Sequence, residues 1–599
     1  MRKKLALLLA VMLVISLFAG CGNKAAPAQT NAPTSAPASS APASSAPASS
    51  APASSAPASS DPAPVESEEP QPLFATDERG IATEPYNWPL PLTTSDDTIS
   101  YWTTIWTPEY IKEDGGFGET ALPVEAQRRT GVHVEYVTSP SNNRGEAFSV
   151  LLAADDLCDI MTNAISYYPG TPVEMVEEEY FVNIYDYREL MPNYLYHSTY
   201  AYPNDVDTHT SVFYYEDFIP VVYCMSIVSG EMIGGFCFRG DYLDKVGLKS
   251  EEIVTWDDLE DALTRLKVGI DTVEYPMWIA QTIEMQKYWQ FVSLDSMTAI
   301  SSSALPPMYV KDGEIKFGCT TPEDKVLMTK LSDWYSKGLI NPDWAGYTIP
   351  ADFSDHMNNS EIAYQYQGAT TLRDAIVHNI DPNCTWVVAQ KPLLEPNQKI
   401  HIGNSLGRTG TGNCSFATKN NNLELCMKWI DYRYSPEGYE LYTYGPEGVV
   451  CYTDENGERH NTEFALNNPD GLALSWLVFI YSMDAFVDPA LADTNTKLFN
   501  PDGDMARAAI AEWTEWLHEH YDAAWLYPKG ARLTSEQSEE LGEYRSNVVT
   551  YIAENFTSFM DGSKSLDEYD SYVESVYDIG LREIIEIYQT CYDDYMASL

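Results

Sequence analysis

The sequence predicts an α/β fold divided into at least two lobes. Three observations predict it. From residue 96 onward about five hundred residues remain, more than one ordinary domain wraps around a single core. Between Ile99 and Met161 the pattern runs strand, helix, strand, helix, strand, the order that produces a largely parallel sheet with helices packed on it. Near Gly234 a new strand runs into a helix and the alternation starts again.

Ahead of this body lies a segment that can bury nothing. Arg2, Lys3 and Lys4 precede an apolar run from Leu5 to Phe18 that ends in Ala19 and Gly20, the layout of a secretory signal peptide over 1–20. The run is too short to span a bilayer. Phe18-Ala19-Gly20-Cys21 resembles the bacterial lipoprotein signal, although Phe18 stands where leucine is usual. The resemblance implies that Cys21 becomes the lipidated first residue, palmitate included, on the outer face of the cytoplasmic membrane. Five copies of APASS follow, and a stretch of Ala, Pro and Ser cannot recover the entropy cost of ordering its backbone. Residues 21–95 are therefore expected to be a disordered tether, whose stretch from Cys21 to Pro85 reaches roughly 200 Å if polyproline-like or about 45 Å as a coil. A glycan-bearing stalk is the other reading of the same composition.

The elements of the body follow in order. Residues 99–105 are rich in β-branched and aromatic side chains and predict a strand. A helix over 123–130 stops at Gly131, a residue suited to a helix C-terminus. Val132, Val134 and Tyr136 alternate with polar residues at strand period, 147–154 is apolar enough for a packed helix, and 159–161 is a short strand entering the loop 163–170. In GGFCFRGDYLDKVGLKSEEIVTWDDLEDALTRLK a strand leads into a short helix ending at Gly247. A longer helix follows, with Thr255 as N-cap, Asp258 three residues on, and Trp256, Leu259, Leu263 and Leu266 along one stripe. Residues 362–366 alternate as a strand. At the C-terminus Ser565 and Glu568 suggest a capping box before a helix carrying Tyr569, Tyr572 and Val576, which continues past Gly580.

Composition narrows the function. A formal net charge of −52 disfavours nucleic acid and anionic membrane surface as partners, since both are repelled. Of ten cysteines, Cys21 is accounted for, and the other nine are scattered, without any CxxC pair, so buried free thiols are expected and a zinc or thioredoxin-type motif is not.

Three sets of blocks carry a family resemblance: GDYLDKVGL with TWDDLEDALTRLK, EAQRRTGVHVEYV with LLAADDLCDIM, and YRYSPEGYELYTYGPEGVVCYTDENGE, with a closing MDGSKSLDEYDSYVESVYDIGLREIIEIYQTCYDDY. As an ordered set along the chain they resemble extracellular solute-binding proteins of family 1, the lipoprotein components of carbohydrate ABC transporters of Gram-positive type; Cys158 stands where that family usually has proline. The resemblance implies a periplasmic-binding-protein-like (type II) α/β fold with two lobes, a hinge and an interlobe cleft. It places lobe 1 at 96–210 and 405–470 and lobe 2 at 211–404 and 471–599. It implies an oligosaccharide ligand, ABC permease subunits as partners, a membrane contact only through the lipid on Cys21, a monomer, and neither cofactor, metal nor catalysis.

Sugars present flat apolar faces edged by hydroxyls, so aromatic rings and planar polar groups are the side chains to seek at the carboxyl ends of strands. Trp102 and Trp106 lie on and after the first strand, Tyr167 and Tyr168 follow the third, Tyr366 and Gln367 end the strand 362–366, and Trp278 and Gln281 follow the Glu274-Tyr275-Pro276 turn. Arg239 is a further candidate for hydroxyls or a carboxylate. With 41 Tyr and 14 Trp, most rings belong to cores.

Other signals fail on context. Gly403-Asn404-Ser405-Leu406-Gly407 fits G-x-S-x-G, yet no helix is predicted directly after the serine. Gly407, Gly410 and Gly412 lack the strand-turn-helix of a dinucleotide site. His518 and His520 fall about 200° apart on a helix and share no metal face. Asp454-Glu455-Asn456-Gly457 and Pro501-Asp502-Gly503-Asp504 read as turns. The rival functions are a surface glycoside hydrolase, which composition alone does not exclude in a chain with 88 acidic residues, and a peptide-binding or adhesive lipoprotein.

Overall fold

The computed structural model describes residues 73–140, 143–228, 230, 232–280, 292–296, 305, 307–347, 353–403, 407–472, 474–484, 486–493 and 503–598. Cys21, Gln281 and the 404–406 part of the G-x-S-x-G match lie outside the described residues. The body is a unit from Phe74 to Leu599.

In chain order its strands are β1 (Thr98–Thr104), β2 (His133–Ser139), β3 (Ile160–Thr162), β4 (Val222–Ser226), β5 (Gly234–Arg239), β6 (Met277–Trp278) and β7 (Met308–Lys311). They continue as β8 (Glu314–Phe317), β9 (Tyr364–Gly368), β10 (Trp386–Val388), β11 (Thr409–Phe416), β12 (Cys451–Thr453), β13 (Arg459–Asn461) and β14 (Leu491–Ala492). One sheet has the order β14-β4-β11-β3-β1-β2, with β1 parallel to both β2 and β3 and only β11 running against its neighbours. A second has the order β10-β5-β9-β6, and two small two-stranded sheets pair β12 with β13 and β7 with β8; the two large sheets mark the lobes. Each large sheet has its own hydrophobic core: Ile99, Tyr101, Ile160, Phe416 and Trp429 in the first, Phe236, Phe238, Trp256, Leu331 and Trp334 in the second. This is the two-lobed α/β architecture that the sequence predicts.

Local chemistry explains the elements. Gly131 ends the helix Ala121–Thr130 at φ 73°, where a side chain would be strained and a Cβ would meet the Thr93 carbonyl. Thr255 and Asp258 form the expected capping box on the helix Trp256–Gly269, whose Trp256, Leu259, Leu263 and Leu266 are all buried. The C-terminal box does not form. Ser565 accepts instead from the amide of Asp567, and a tight turn over Leu566–Glu568 precedes the helix Tyr569–Val576. The nine described cysteines are free and buried. Among the described residues no helix is long and apolar enough to cross a membrane.

The structure corrects several boundaries. Residues 74–95 are packed, not tether. Ile81 and Trp88 are buried, the Trp88 indole donates to Asp431 at 2.8 Å, the Tyr86 amide to Asn193 at 2.8 Å, and the Arg188 Nε to the Arg79 carbonyl at 2.7 Å. Burial pushes the Asp431 carboxyl up to about 7, and donors from Trp88, Asn193 and the Tyr194 amide surround it. Residues 222–226 belong to the first sheet, not to the lobe expected over 211–404. Val450, Ala465, Leu474 and Leu477 pack with Cys237 and Trp278 of the second lobe, whereas Met483, Ala490 and Ala492 pack with the first. The chain therefore crosses between lobes more often than the expected boundaries allow. Each crossing is decided by strand pairing across hundreds of residues, which no local pattern encodes.

Candidate functional site

Because β1, β2 and β3 are parallel, their carboxyl ends share one edge of the first sheet, the edge where open α/β sheets hold ligands. Three groups emerge there. Trp106 stands just after β1. Arg144 opens the helix Arg144–Ala154 after β2. Asn163 follows β3 directly, with Tyr167 at the end of the short helix Ala164–Tyr167. Asn163 takes φ 51°, a left-handed conformation that asparagine tolerates, and its amide donates to the Asn413 carbonyl at 2.8 Å. A residue held in that region is a common mark of a functional edge.

The second lobe meets this edge through the helix Leu474–Tyr481. Trp106 and Trp476 face each other with ring centroids 6.4 Å apart, Trp476 touches Phe479 at 6.0 Å, and Phe479 touches Phe486 at 6.0 Å. The Phe486 carbonyl accepts from Asn163 Nδ2 at 3.3 Å, and Asn163 Oδ1 accepts from Asn413 Nδ2 at 2.8 Å. The Arg144 guanidinium lies 5.4 Å from the centroids of both Trp106 and Tyr167. Two runs of contacts thus start from Trp106, one through Trp476, Phe479 and Phe486 to Asn163 and one through Arg144 to Tyr167, and together they form an open ring built from both lobes. Trp476 is 41% exposed and Phe486 44%. Such a ring offers flat apolar faces beside amide and guanidinium donors, the combination that grips polyhydroxylated ligands.

Two carboxylates border it, and both are committed to structural donors. Asp484 accepts from the Trp106 indole and from the Phe486 amide at 2.9 Å; Asp488 accepts from the Tyr101 hydroxyl at 2.5 Å and from the Asp484 amide at 3.2 Å. A larger open groove of the second lobe, lined by Lys245, Asp271, Asn359 and Asp381, has Tyr242 as its only ring, and that ring is buried. It has no exposed face on which a sugar stacks.

The other predicted site residues are placed elsewhere. Trp102, 1% exposed, fills the first-lobe core against Phe148, because its position on β1 points into the sheet packing. Tyr168 is buried beside Tyr180 and donates to Glu178 at 2.9 Å. Arg239 is wholly buried, paired with Asp241 at 2.8 Å and 3.0 Å and lying 4.0 Å over Tyr242, so it serves the start of the helix Gly240–Val246. Trp278, 7% exposed, donates to the Tyr275 carbonyl at 3.0 Å and packs on Phe353 and His356. Tyr366 fills the space that Gly234 leaves by lacking a Cβ. Gln367 is buried and bonded to Met357 and Thr371. Of the nine candidates, the ring unites Trp106 and Tyr167. Sequence reasoning missed Arg144, Asn163, Asn413, Trp476 and Phe486. Arg144 and Asn163 carried a signal, since each follows a predicted strand. The residues after 474 carried none, because only the fold brings that helix to the β1 edge.

The turn reading of 454–457 agrees with the structure: Asp454 accepts from the amides of Asn456 and Glu458 at the tip of the β12–β13 hairpin.

The two α/β lobes make up a fold shared with two-lobed solute-binding proteins of known structure. Solved structures with this fold include the alginate-binding protein AlgQ2 without calcium ion, at 18% identity and TM-score 0.61, covering 84% of this chain and 99% of that one. An HMO-binding, ABC-transporter-associated solute-binding protein from Bifidobacterium longum infantis matches at 17% identity and TM-score 0.63, covering 83% and 99%. The ABC-transporter substrate-binding protein FusA of S. pneumoniae, in complex with kestose, matches at 17% identity and TM-score 0.60, covering 84% and 100%. No family model matches the chain, and no curated protein does. At these identities the likeness is one of fold.

Proposed function

We propose that this chain is an extracellular binding protein that captures an oligosaccharide between its lobes and delivers it, unreacted, to an ABC permease. The observation that carries this reading is the pair formed by the partly buried Trp106 and the 41% exposed Trp476, one from each lobe, flanked by amide groups at the carboxyl ends of the first sheet. Structural neighbours that are HMO-binding and kestose-bound binding proteins of ABC transporters support it. Closure by hinge-bending is the general behaviour of such two-lobed binders, and the closed form is what a permease would recognise. Lipid on Cys21 would root the chain outside the cytoplasmic membrane of a Gram-positive cell, with the APASS repeat as the leash.

The test is a calorimetric and thermal-shift screen of the purified chain against defined neutral and acidic oligosaccharides. Binding raises the unfolding temperature in proportion to ligand excess and leaves the sugar intact. Catalytic release of new reducing ends, or the absence of any glycan ligand, overturns the reading. In the native host, Cys21→Ala is expected to move the chain from the membrane fraction to the medium.

A further inference from the structure

We infer that the captured glycan carries a carboxylate, as a uronic or sialic acid residue does, and that Arg144 is the group that holds it. The inference rests on the proposed function and deepens it. Arg144 is sandwiched between the rings of Trp106 and Tyr167, 5.4 Å from each centroid. Its Nε and Nη2 are buried and have no hydrogen-bond partner. No carboxylate pairs with it among the described residues, although the chain has 88 acidic side chains against 36 basic ones.

Arg144 as a residue is partly buried, whereas the fully buried arginines lie beside carboxylates: Arg239 with Asp241, Arg408 with Asp205, Arg433 beside Asp488. Those pairs are what a structural role requires, because a desolvated guanidinium without a counter-charge is costly. Arg144 has two aromatic faces, which position its plane, and two N–H donors that no described residue accepts. A sugar hydroxyl would accept one of these bonds but leave the charge uncompensated. A carboxylate accepts two in parallel and neutralises the cation. The long-range field of a −52 chain repels an anion, so an anionic ligand needs a local cation with no internal partner. Arg144 is that cation, and it stands in the ring where the lobes meet.

The experiment uses the full chain purified in detergent and titrated by calorimetry with neutral cello-, xylo- and manno-oligosaccharides and with oligosaccharides bearing glucuronic, mannuronic, galacturonic or sialic acid. Acidic members are expected to bind, and their carboxyl-reduced counterparts to bind at least 30-fold more weakly, roughly the loss of one charge-assisted bidentate contact. Arg144→Gln is expected to remove that discrimination. Arg144→Lys, a point charge that neither stacks nor forks, should retain only a small part of it. The unfolding temperature of ligand-free Arg144→Gln should stay level or rise, because an unsatisfied buried cation has gone; a structural arginine would give a fall. Neutral glycans bound as tightly as acidic ones, or a clear fall in the ligand-free unfolding temperature with binding unchanged, overturns the role of Arg144 while the capture function stands. Failure of every glycan to bind overturns both.

Discussion

Replacing Arg408 by alanine is expected to lower the stability of the chain by about 3–5 kcal/mol, the usual cost of breaking a buried ion pair by deleting one partner. Its side chain is wholly buried against Asp205, at 2.9 Å, and lies 3.7 Å over the Tyr202 ring. It donates further to the carbonyls of Ser226, at 3.1 Å, and His197. The residue sits where the chain enters β11 from the second lobe, so it clamps β4, the helix Val206–Val212 and the crossing segment to one another. Alanine leaves Asp205 with its two bonds from Thr208 but without a counter-charge, and it strands two carbonyls. Urea unfolding at neutral pH measures the loss; a change under 1 kcal/mol refutes this role.

A second readout follows from His197, whose imidazole is pushed down to about 4 by burial first and by Arg408 second. A histidine with a folded-state value below its unfolded one contributes stability that is complete above pH 6.5 and is lost as pH falls towards 4. Without Arg408 that acid-side loss should shrink.

The other large effect concerns binding. Trp106→Ala and Trp476→Ala are each expected to weaken glycan affinity by about 2 kcal/mol, roughly 30-fold, as deletion of a central aromatic anchor does. Their rings face each other at 6.4 Å, so the double variant should lose less than the product of the two. Calorimetry on the ligand found by screening measures both, and unchanged affinity in either variant removes the ring from the site. Trp278→Ala is the control. It should cost about 3–5 kcal/mol of stability, as large core deletions do, and leave the intrinsic affinity alone, because its indole is packed on Phe353 and His356.

Much of the fold was legible because its signals are local. The Thr255 cap, the stop at Gly131, the alternation through β2 and the stripe on Trp256–Gly269 each lie within one or two turns of chain, and each formed. Where a local signal competed with tertiary packing it failed. Ser565 and Glu568 have capping-box spacing, but the chain there turns tightly, and the Tyr569 and Tyr572 hydroxyls both reach the Cys319 carbonyl. The segment 74–95 looked like tether because it lacks periodic elements, yet single anchors such as Trp88 on Asp431 hold it.

The site divides the same way. Placement after a strand correctly brought Trp106 and Tyr167 to one edge, since the direction of a parallel strand decides which end its loop leaves from. That rule did not separate Trp102 or Trp278, whose rings point into cores, because facing is a matter of pleat and packing, not of residue type. By itself the sequence determined an acidic α/β body in two parts, its strand and helix order, and an aromatic supply large enough to line a site. Only the tertiary structure decided that the helix Leu474–Tyr481 comes to the β1 edge, that Trp476 faces Trp106, and that no carboxylate among the described residues pairs with Arg144. Those facts depend on contacts between residues hundreds of positions apart, where the free energy lies in shape and charge matching across space and leaves no periodic trace along the chain.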